Sequence, residues 1–547
     1  MHTVAGDPAV RETALRAFLA RLEADVAPLH RELNEEIWLA NVTGSPDHER
    51  RSAELDARLR LLFAQPEPYR FLTGTRDAGG VADARLTRQL AVLIRTYQAH
   101  QIPPAAIERM VRLEKSLESR FNNFRADLRG QRASDNQIRE VLQKSSDSKE
   151  RREAWEASKQ VGAEVVRELL ELVRERNAAA RELGFSNYYT MMLELDELEE
   201  GELFGLLDEL ERGTRPIFDD YMRDLRQRLA RQFGIPAAEI RPWHVRDPFF
   251  QEAPPAEVDL DHHFAGRSLE TLTTEFFAAV GLEIGDLMAR SDLYEKPGKC
   301  QHAFCMHMDR GQDIRVLCNL RPDEQWMGTM LHEFGHAAYD KYLDPALPYF
   351  LRAAAHTLTT EASAMLFGRL SKNAAWLSRY ARVPEAEARA GAAACRRATR
   401  EQLLVQTRWC LVMCHMERAL YREPAQDLNT LWWDLVERLQ GLQRPEGRHA
   451  PDWASKIHFS IAPVYYHNYM LGEMMASQLQ RHLLEQVLGD ARAWDRYVTS
   501  PAVGEFLIRE LYRPGKSTDW RGAVRRATGR DLEAAPFVAE LAASDGA

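Results

Sequence analysis

His332-Glu333-Phe334-Gly335-His336 places, within five positions, the residue types that together make a hydrolytic metal centre. Two histidines four apart on a helix share one face, with Cβ atoms about 5–6 Å apart. At that reach two imidazoles can ligate one zinc ion. The glutamate between them projects beside such a metal, where a carboxylate takes a proton from a bound water. Met330, Leu331, Phe334 and Gly335 supply apolar and small neighbours suited to a buried helix. A plainer reading also exists, in which polar residues on a buried helix satisfy one another, so a third ligand has to decide.

A catalytic zinc takes three protein ligands and keeps one position for water. A third histidine six residues after His336 would complete one such set, but that position is Tyr342. The next candidate is Glu361, 25 residues beyond His336. It opens Glu361-Ala-Ser-Ala-Met-Leu-Phe-Gly-Arg-Leu, a second apolar helical pattern, and Asp344-Pro345-Ala-Leu-Pro348 supplies a break between the two. A glutamate at a helix start otherwise serves the helix dipole. Downstream of this motif the ligand reading is preferred, which makes His332, His336 and Glu361 the expected zinc ligands and Glu333 the expected base.

The elements that must hold these residues are mostly helices. The motif lies in a helix expected from Trp326 to Tyr342. Further amphipathic patterns run over Arg11–Glu36, Asp83–Tyr97, Ala105–Arg125, Ser148–Leu183, Gly201–Phe233, Leu269–Val280, Pro384–Met416 and Leu428–Leu442. Ser134-Asp135 and Ser146-Asp147 are helix starts, and Gly184 is a stop. The best strand signal is Gln301–Met308 followed by Asp313–Cys318, split by Asp309-Arg-Gly311-Gln, which reads as a β-hairpin just before the motif helix. No internal repeat, low-complexity segment or flexible linker interrupts the chain. One mainly helical domain over residues 1–547, with two sub-lobes, is the expected organisation.

Composition narrows the function classes. The chain has 547 residues, 45% hydrophobic and 28% charged, with 72 basic and 82 acidic side chains and a net charge of −10. Such a balance offers no basic field for nucleic acid or an anionic membrane. No apolar run approaches 20 residues, so no membrane span is expected. The first residues lack a charged region followed by an apolar one, so a cytoplasmic protein is expected. The six cysteines, at 300, 305, 318, 395, 410 and 414, show no paired metal spacing and are expected as thiols.

Peptide hydrolysis also needs a donor for the oxyanion of the tetrahedral intermediate. Lys456-Ile-His458-Phe-Ser-Ile-Ala-Pro463-Val-Tyr465-Tyr466-His467-Asn468-Tyr469 concentrates such groups. Tyr466 and Tyr469, three apart, can point together from one helical turn. On its own the segment reads equally as packing residues with satisfied polar tips.

With these residues in view the chain resembles the angiotensin-converting-enzyme family of zinc peptidyl-dipeptidases, in a compact bacterial-type form. The likeness runs along nearly the whole chain. It takes in Trp155-Glu156, Asn177-Ala-Ala-Ala180, Gly184-Phe185, Glu295-Lys296-Pro297, His302-Ala303, Asp313-Ile-Arg315 and Cys318. It continues through Trp432-Trp433, Lys456-x-His458 and Pro463-x-x-Tyr466-x-x-Tyr469. The resemblance implies an all-α gluzincin-type fold, two lobes around a deep central channel, and a small β-hairpin beside the zinc helix. It implies one zinc per chain on His332, His336 and Glu361, with Glu333 activating water and then protonating the leaving amine. His458 and Tyr469 would stabilise the intermediate, Lys456 and Tyr466 would hold the substrate's C-terminal carboxylate, and His302 and Ala303 would pair with its backbone as an added strand. Binding a free C-terminus two residues beyond the scissile bond makes the product a dipeptide. A disulfide often joins cysteines of the separation of Cys300 and Cys318 in this family; in a reducing compartment they are expected close but unbonded.

The chain departs from that pattern in places. One extra residue follows His458 before the tyrosines, so Tyr465 and Tyr466 compete for the carboxylate role. The position of a chloride-binding arginine is Asn468, which argues against chloride activation while leaving chloride binding open. The family's Asp one turn after the third ligand is Met365, and Asp340, one turn after His336, is the expected substitute. A glutamine used for the carboxylate has no clear counterpart; His262 and His263 lie in about the right region. The 25-residue gap and Phe334-Gly335 also resemble the thimet-oligopeptidase family, which cleaves internal bonds of short peptides. A tailoring enzyme on a small substrate and a non-catalytic peptide-binding protein are the other functions weighed; the presence of Glu333 favours catalysis. Short peptides are the expected partners, and oligomeric state is not legible.

Overall fold

The computed structural model describes residues 7–254 and 258–543. Helices dominate, and the described residues contain two sheets, each a two-stranded antiparallel hairpin. The chain divides into two compact units, each built from three separate segments. The first comprises Met1–Gln101, Val258–Arg396 and Leu471–Phe537; the second comprises Ile102–Glu257, Arg397–Met470 and Val538–Ala547.

In the first unit the helix Pro8–Thr43 starts where the Asp7 carboxylate accepts from Ala9 N–H and stops at Gly44, whose φ of 64° is left-handed. A Cβ on Gly44 would lie 2.3 Å from the Gly298 carbonyl oxygen, so only glycine fits this end. Leu15, Leu19, Leu22, Val26, Leu29 and Leu33 recur every three or four residues and are all buried. Leu15, Leu19, Leu22 and Val26 join a core with Phe18, Phe63, Leu72, Leu90 and Tyr97 from this and the next three helices, while Leu29 and Leu33 form a second cluster with Leu55. The far end of the same helix supports the expected hairpin. Asn34 Nδ2 donates to the carbonyls of His307 and Met308, at 3.2 and 3.0 Å, and Trp38 meets Phe304 edge-on at 6.1 Å.

That hairpin pairs Phe304–His307 with Ile314–Leu317, Cys305 opposite Val316, at the place read from the sequence. The Asp309 carboxylate accepts from Gly311 N–H at 2.7 Å and closes its turn. The outer edge of Ile314–Leu317 is covered, because Asp292 N–H donates to Val316 O and Cys318 N–H to Asp292 O, both at 2.9 Å. All six cysteines are free thiols.

The motif helix is Glu324–Lys341, capped by the Asp323 carboxylate on Trp326 N–H and flanked by Glu324 at its start and Lys341 at its end. Residues on every side of it are buried, among them Met327, Met330, Leu331, Phe334, Ala337 and Tyr339. The next helix is Thr357–Gly368. It begins four residues before Glu361, with His356 as its cap. Glu361 therefore sits one turn inside the helix rather than at its start, and the dipole explanation for it falls away.

In the second unit, the helix expected over Ser148–Leu183 is two helices, Ser148–Ser158 and Gln160–Glu182. The break falls at Lys159, with φ −93° and ψ −8°. Just beyond it, a Cβ on Gly162 would lie 2.4 Å from Pro451 O, so the chain there packs backbone to backbone. Trp155 is buried with Trp243 and Trp433, each at a centroid distance of 6.0 Å.

Among the described residues no helix is long and apolar enough to cross a membrane.

Candidate active site

Gly328, His332 and Gly335 fall at i, i+4 and i+7 of the motif helix and share one face. That face packs on Thr357–Gly368 almost backbone to backbone. A Cβ on Gly335 would lie 2.8 Å from Ala364 Cα and 3.0 Å from Ser363 O, and one on Gly368 would lie 3.2 Å from His332 Cβ. Ser363 Oγ donates to Gly335 O at 3.0 Å and ties the pair. Close approach brings the two histidines within reach of Glu361. A third backbone joins them at Gly472, where a Cβ would stand 2.8 Å from Glu361 Cβ.

The result is a cluster of three donors. His332 Nε2 lies 3.8 Å and His336 Nε2 3.9 Å from Glu361 Oε2, and all three ligand atoms fall within 4.8 Å of one another. Tetrahedral bonds of about 2.0–2.1 Å put ligand atoms roughly 3.3 Å apart, so Glu361 has to close on each histidine by about half an ångström to fit zinc. Burial lowers the pKa of His332 to about 4 and drives that of His336 well below its ordinary value. Both imidazoles are therefore neutral, as a metal requires, and their closeness to Glu361 is not an ion pair. The donor set of two neutral imidazoles and a carboxylate fits the expected zinc.

Asp340 does not support His336 as expected. It faces the hairpin, 3.8 Å from His307 Nδ1, and burial raises its pKa. His336 instead places Nδ1 2.7 Å from Thr360 Oγ1. With Nδ1–H donating to that hydroxyl, Nε2 keeps its lone pair for a metal. Thr360 was missed in the sequence, although its place beside Glu361 was a signal.

Glu333 is buried beside the same cluster. Burial raises its pKa to about 8, the Glu361 charge adds to this, and a hydrogen bond from Cys305 N–H opposes it. The strand Phe304–His307 thus turns one backbone edge toward Glu333. Ala303 lies two residues before Cys305, just outside the strand, so its backbone groups share that edge. His302 beside it is exposed.

The second unit holds the Lys456 segment. Lys456 Nζ donates to Gln251 Oε1 at 2.9 Å and lies 5.2 Å from the Phe249 ring centroid and 5.1 Å from that of Trp409. Burial pulls its pKa down to about 8. Gln251 and Phe249 reach it from a loop organised by Asp247, whose buried carboxylate accepts from the N–H groups of Phe249, Gln251 and Glu252. Gln251 is thus a glutamine standing directly beside Lys456. His262 and His263 belong to the first unit, with Nε2 atoms 4.0 and 3.3 Å from Glu387 Oε1. Asp247-Pro248-Phe-Phe-Gln251 reads as an ordinary short loop, and only the Asp before Pro hinted at a built turn.

Tyr466 is buried edge-on against Trp409 at 6.0 Å and accepts a hydrogen bond from its indole N–H. It also lies 5.1 Å from the His458 ring and 5.7 Å from Tyr469. Tyr465 packs on Tyr469 at 5.2 Å instead. Between the two competing tyrosines, Tyr466 is the one that shares Trp409 with Lys456.

Comparison with known families divides the chain in two. Residues 9–244 match the family model for angiotensin-converting enzyme, and residues 288–543 match that for peptidase family M3. The second match contains the motif helix, Glu361 and the tyrosine segment. No curated protein matches the chain.

Proposed function

We propose that this zinc metallopeptidase, matching the angiotensin-converting-enzyme family over its first part and family M3 over its second, releases dipeptides from the C-termini of short peptides. The observation that carries the reading is the Lys456 cluster. A cation half-sunk between two aromatic rings, with an amide beside it and a tyrosine on the same indole, is a receptor for an anion. In a peptidase the anion that every substrate offers is its C-terminal carboxylate.

The residues then divide the work. His332, His336 and Glu361 would hold zinc, which when bound supplies an electrophile that acidifies water and polarises the scissile carbonyl. Glu333 accepts the proton of the attacking water and returns it to the leaving amine. Its raised pKa falls once a dication stands nearby, so it is ionised for the first of these steps. His458 and Tyr469 donate hydrogen bonds to the oxyanion of the intermediate. Lys456, Gln251 and Tyr466 bind the carboxylate, with Tyr465 supporting Tyr469. Ala303 and His302 offer backbone groups to the extended substrate.

The family M3 match over the motif helix favours a second reading, an oligopeptidase acting on internal bonds. Matched peptides ending in a free acid or an amide separate the two. Loss of a desolvated charge pair costs about 2–4 kcal/mol, so kcat/KM for the amide falls by roughly 30- to 1000-fold if the first reading holds. Equal rates for acid and amide refute it and favour the oligopeptidase.

A further inference from the structure

The structure assigns positioning roles to Glu417 and Arg176, two buried polar residues that together fix the backbone carrying His458, Tyr466 and Tyr469; the assignment rests on the peptidyl-dipeptidase reading. The segment between the short helix His458–Ile461 and the helix His467–His482 contains Val464 at φ 56°. A β-branched residue in the left-handed region is strained and persists only where its surroundings enforce it. The residues after this turn are the tyrosines.

Two side chains enforce the turn. Val464 N–H donates to Glu417 Oε1 at 2.8 Å, and Glu417 is 3% exposed. Upstream, the buried Arg176 guanidinium donates to Phe459 O at 3.1 Å and Ser460 O at 2.6 Å, holding the short helix that His458 begins. Arg176 also donates to the Tyr421 hydroxyl at 2.9 Å and to Glu114 at 2.7 Å. Glu417 and Tyr421 stand one turn apart on the helix Glu385–Arg422. One turn of a long helix thus serves both ends of the segment, with a buried acceptor at the strained amide and, through Tyr421, a cation at the carbonyls. Burial raises the Glu417 pKa to about 8, against the hydrogen bond from Val464 N–H and the Arg176 charge, which both lower it, so its carboxyl group is mostly protonated at neutral pH and acts as an acceptor rather than a fixed charge. A buried carboxyl group spent on a single backbone amide is costly as packing. It is accounted for if the position of that amide matters, because Val464 sets where the Tyr466 ring lies against His458 and Tyr469.

Four variants test this on the full chain with a free-acid peptide: Glu417→Met, Glu417→Gln, Val464→Gly and E417M/V464G. Zinc content and far-ultraviolet circular dichroism are read beside kcat and KM. Methionine fills the space without an acceptor, so E417M should lose about tenfold to a hundredfold in kcat/KM, mostly in kcat, with zinc retained. A glutamine amide oxygen still accepts, so E417Q should stay near the parent. Glycine adopts the left-handed turn without strain, so V464G should remain active and E417M/V464G should recover most of the loss. E417M within about twofold of the parent, or a double variant no better than E417M, overturns the assignment. If E417M does not fold, the double variant decides: folded, active protein supports the role, and failure of both to fold makes Glu417 a residue of the fold at large and overturns it. Tyr469→Phe runs alongside as a control on the underlying reading. A loss there without one in E417M refutes the positioning role alone, whereas equal rates for acid and amide peptides on the parent refute the dipeptidase reading on which it rests.

Discussion

Thr360→Val should weaken zinc binding without disturbing the fold. The His336 side chain is 16% exposed, and its Nδ1 lies 2.7 Å from Thr360 Oγ1. Valine keeps the shape of threonine, so packing between Glu324–Lys341 and Thr357–Gly368 is preserved and the change is confined to one acceptor. A buried donor left without a partner costs about 1–3 kcal/mol. At about 1.4 kcal/mol per tenfold, that range corresponds to roughly 5- to 100-fold in the dissociation constant for zinc. Partial exposure lets water replace some of the lost bond, so the expected value is about tenfold, at the low end of what removing such supporting groups costs. The assay is competition with a chromophoric chelator at neutral pH, with thermal melting of the zinc-free protein as a check on folding. A dissociation constant within about twofold of the parent, with an unchanged melt, would refute the claim that Thr360 orients His336.

Glu333→Gln should retain zinc and lose about 10²–10⁴-fold in hydrolysis, and activity within a few-fold of the parent would assign the base elsewhere. Gly335→Ala puts a methyl 2.8 Å from Ala364 Cα, so it should cost about 1–3 kcal/mol of stability and also lower zinc affinity; an unchanged melt and zinc titration would show that the two backbones can part freely. Lys456 is charged below a pKa of about 8 and neutral above it, so kcat/KM for free-acid peptides should fall as pH rises through that value. Lys456→Met should lower kcat/KM for the acid and remove that alkaline limb, whereas a limb surviving in the variant would belong to another group.

The sequence by itself determined what is local and periodic. His332, Glu333 and His336 lie within five residues, so helical geometry alone brings them to one candidate metal site. The hairpin at Phe304–His307 and Ile314–Leu317 was legible because its turn residues and alternation are also local. Glu361 was found by its distance from the motif, but its place within its helix was not, because Thr357 to Thr360 carry no strong helix-start signal besides His356. Tertiary structure alone decided which partners meet across the chain. Asp340 sits one turn from His336 and looked like its partner, yet the motif helix turns it toward His307 while Thr360 arrives from the next helix. Gln251 reaches Lys456 from about 200 residues away, and Glu417 reaches Val464 from another helix. Such pairings follow from how helix faces pack, a property of the folded chain that no spacing between neighbours encodes. The small residues that permit the packing, Gly335, Gly368 and Gly472, are visible in the sequence, but what each of them touches is not.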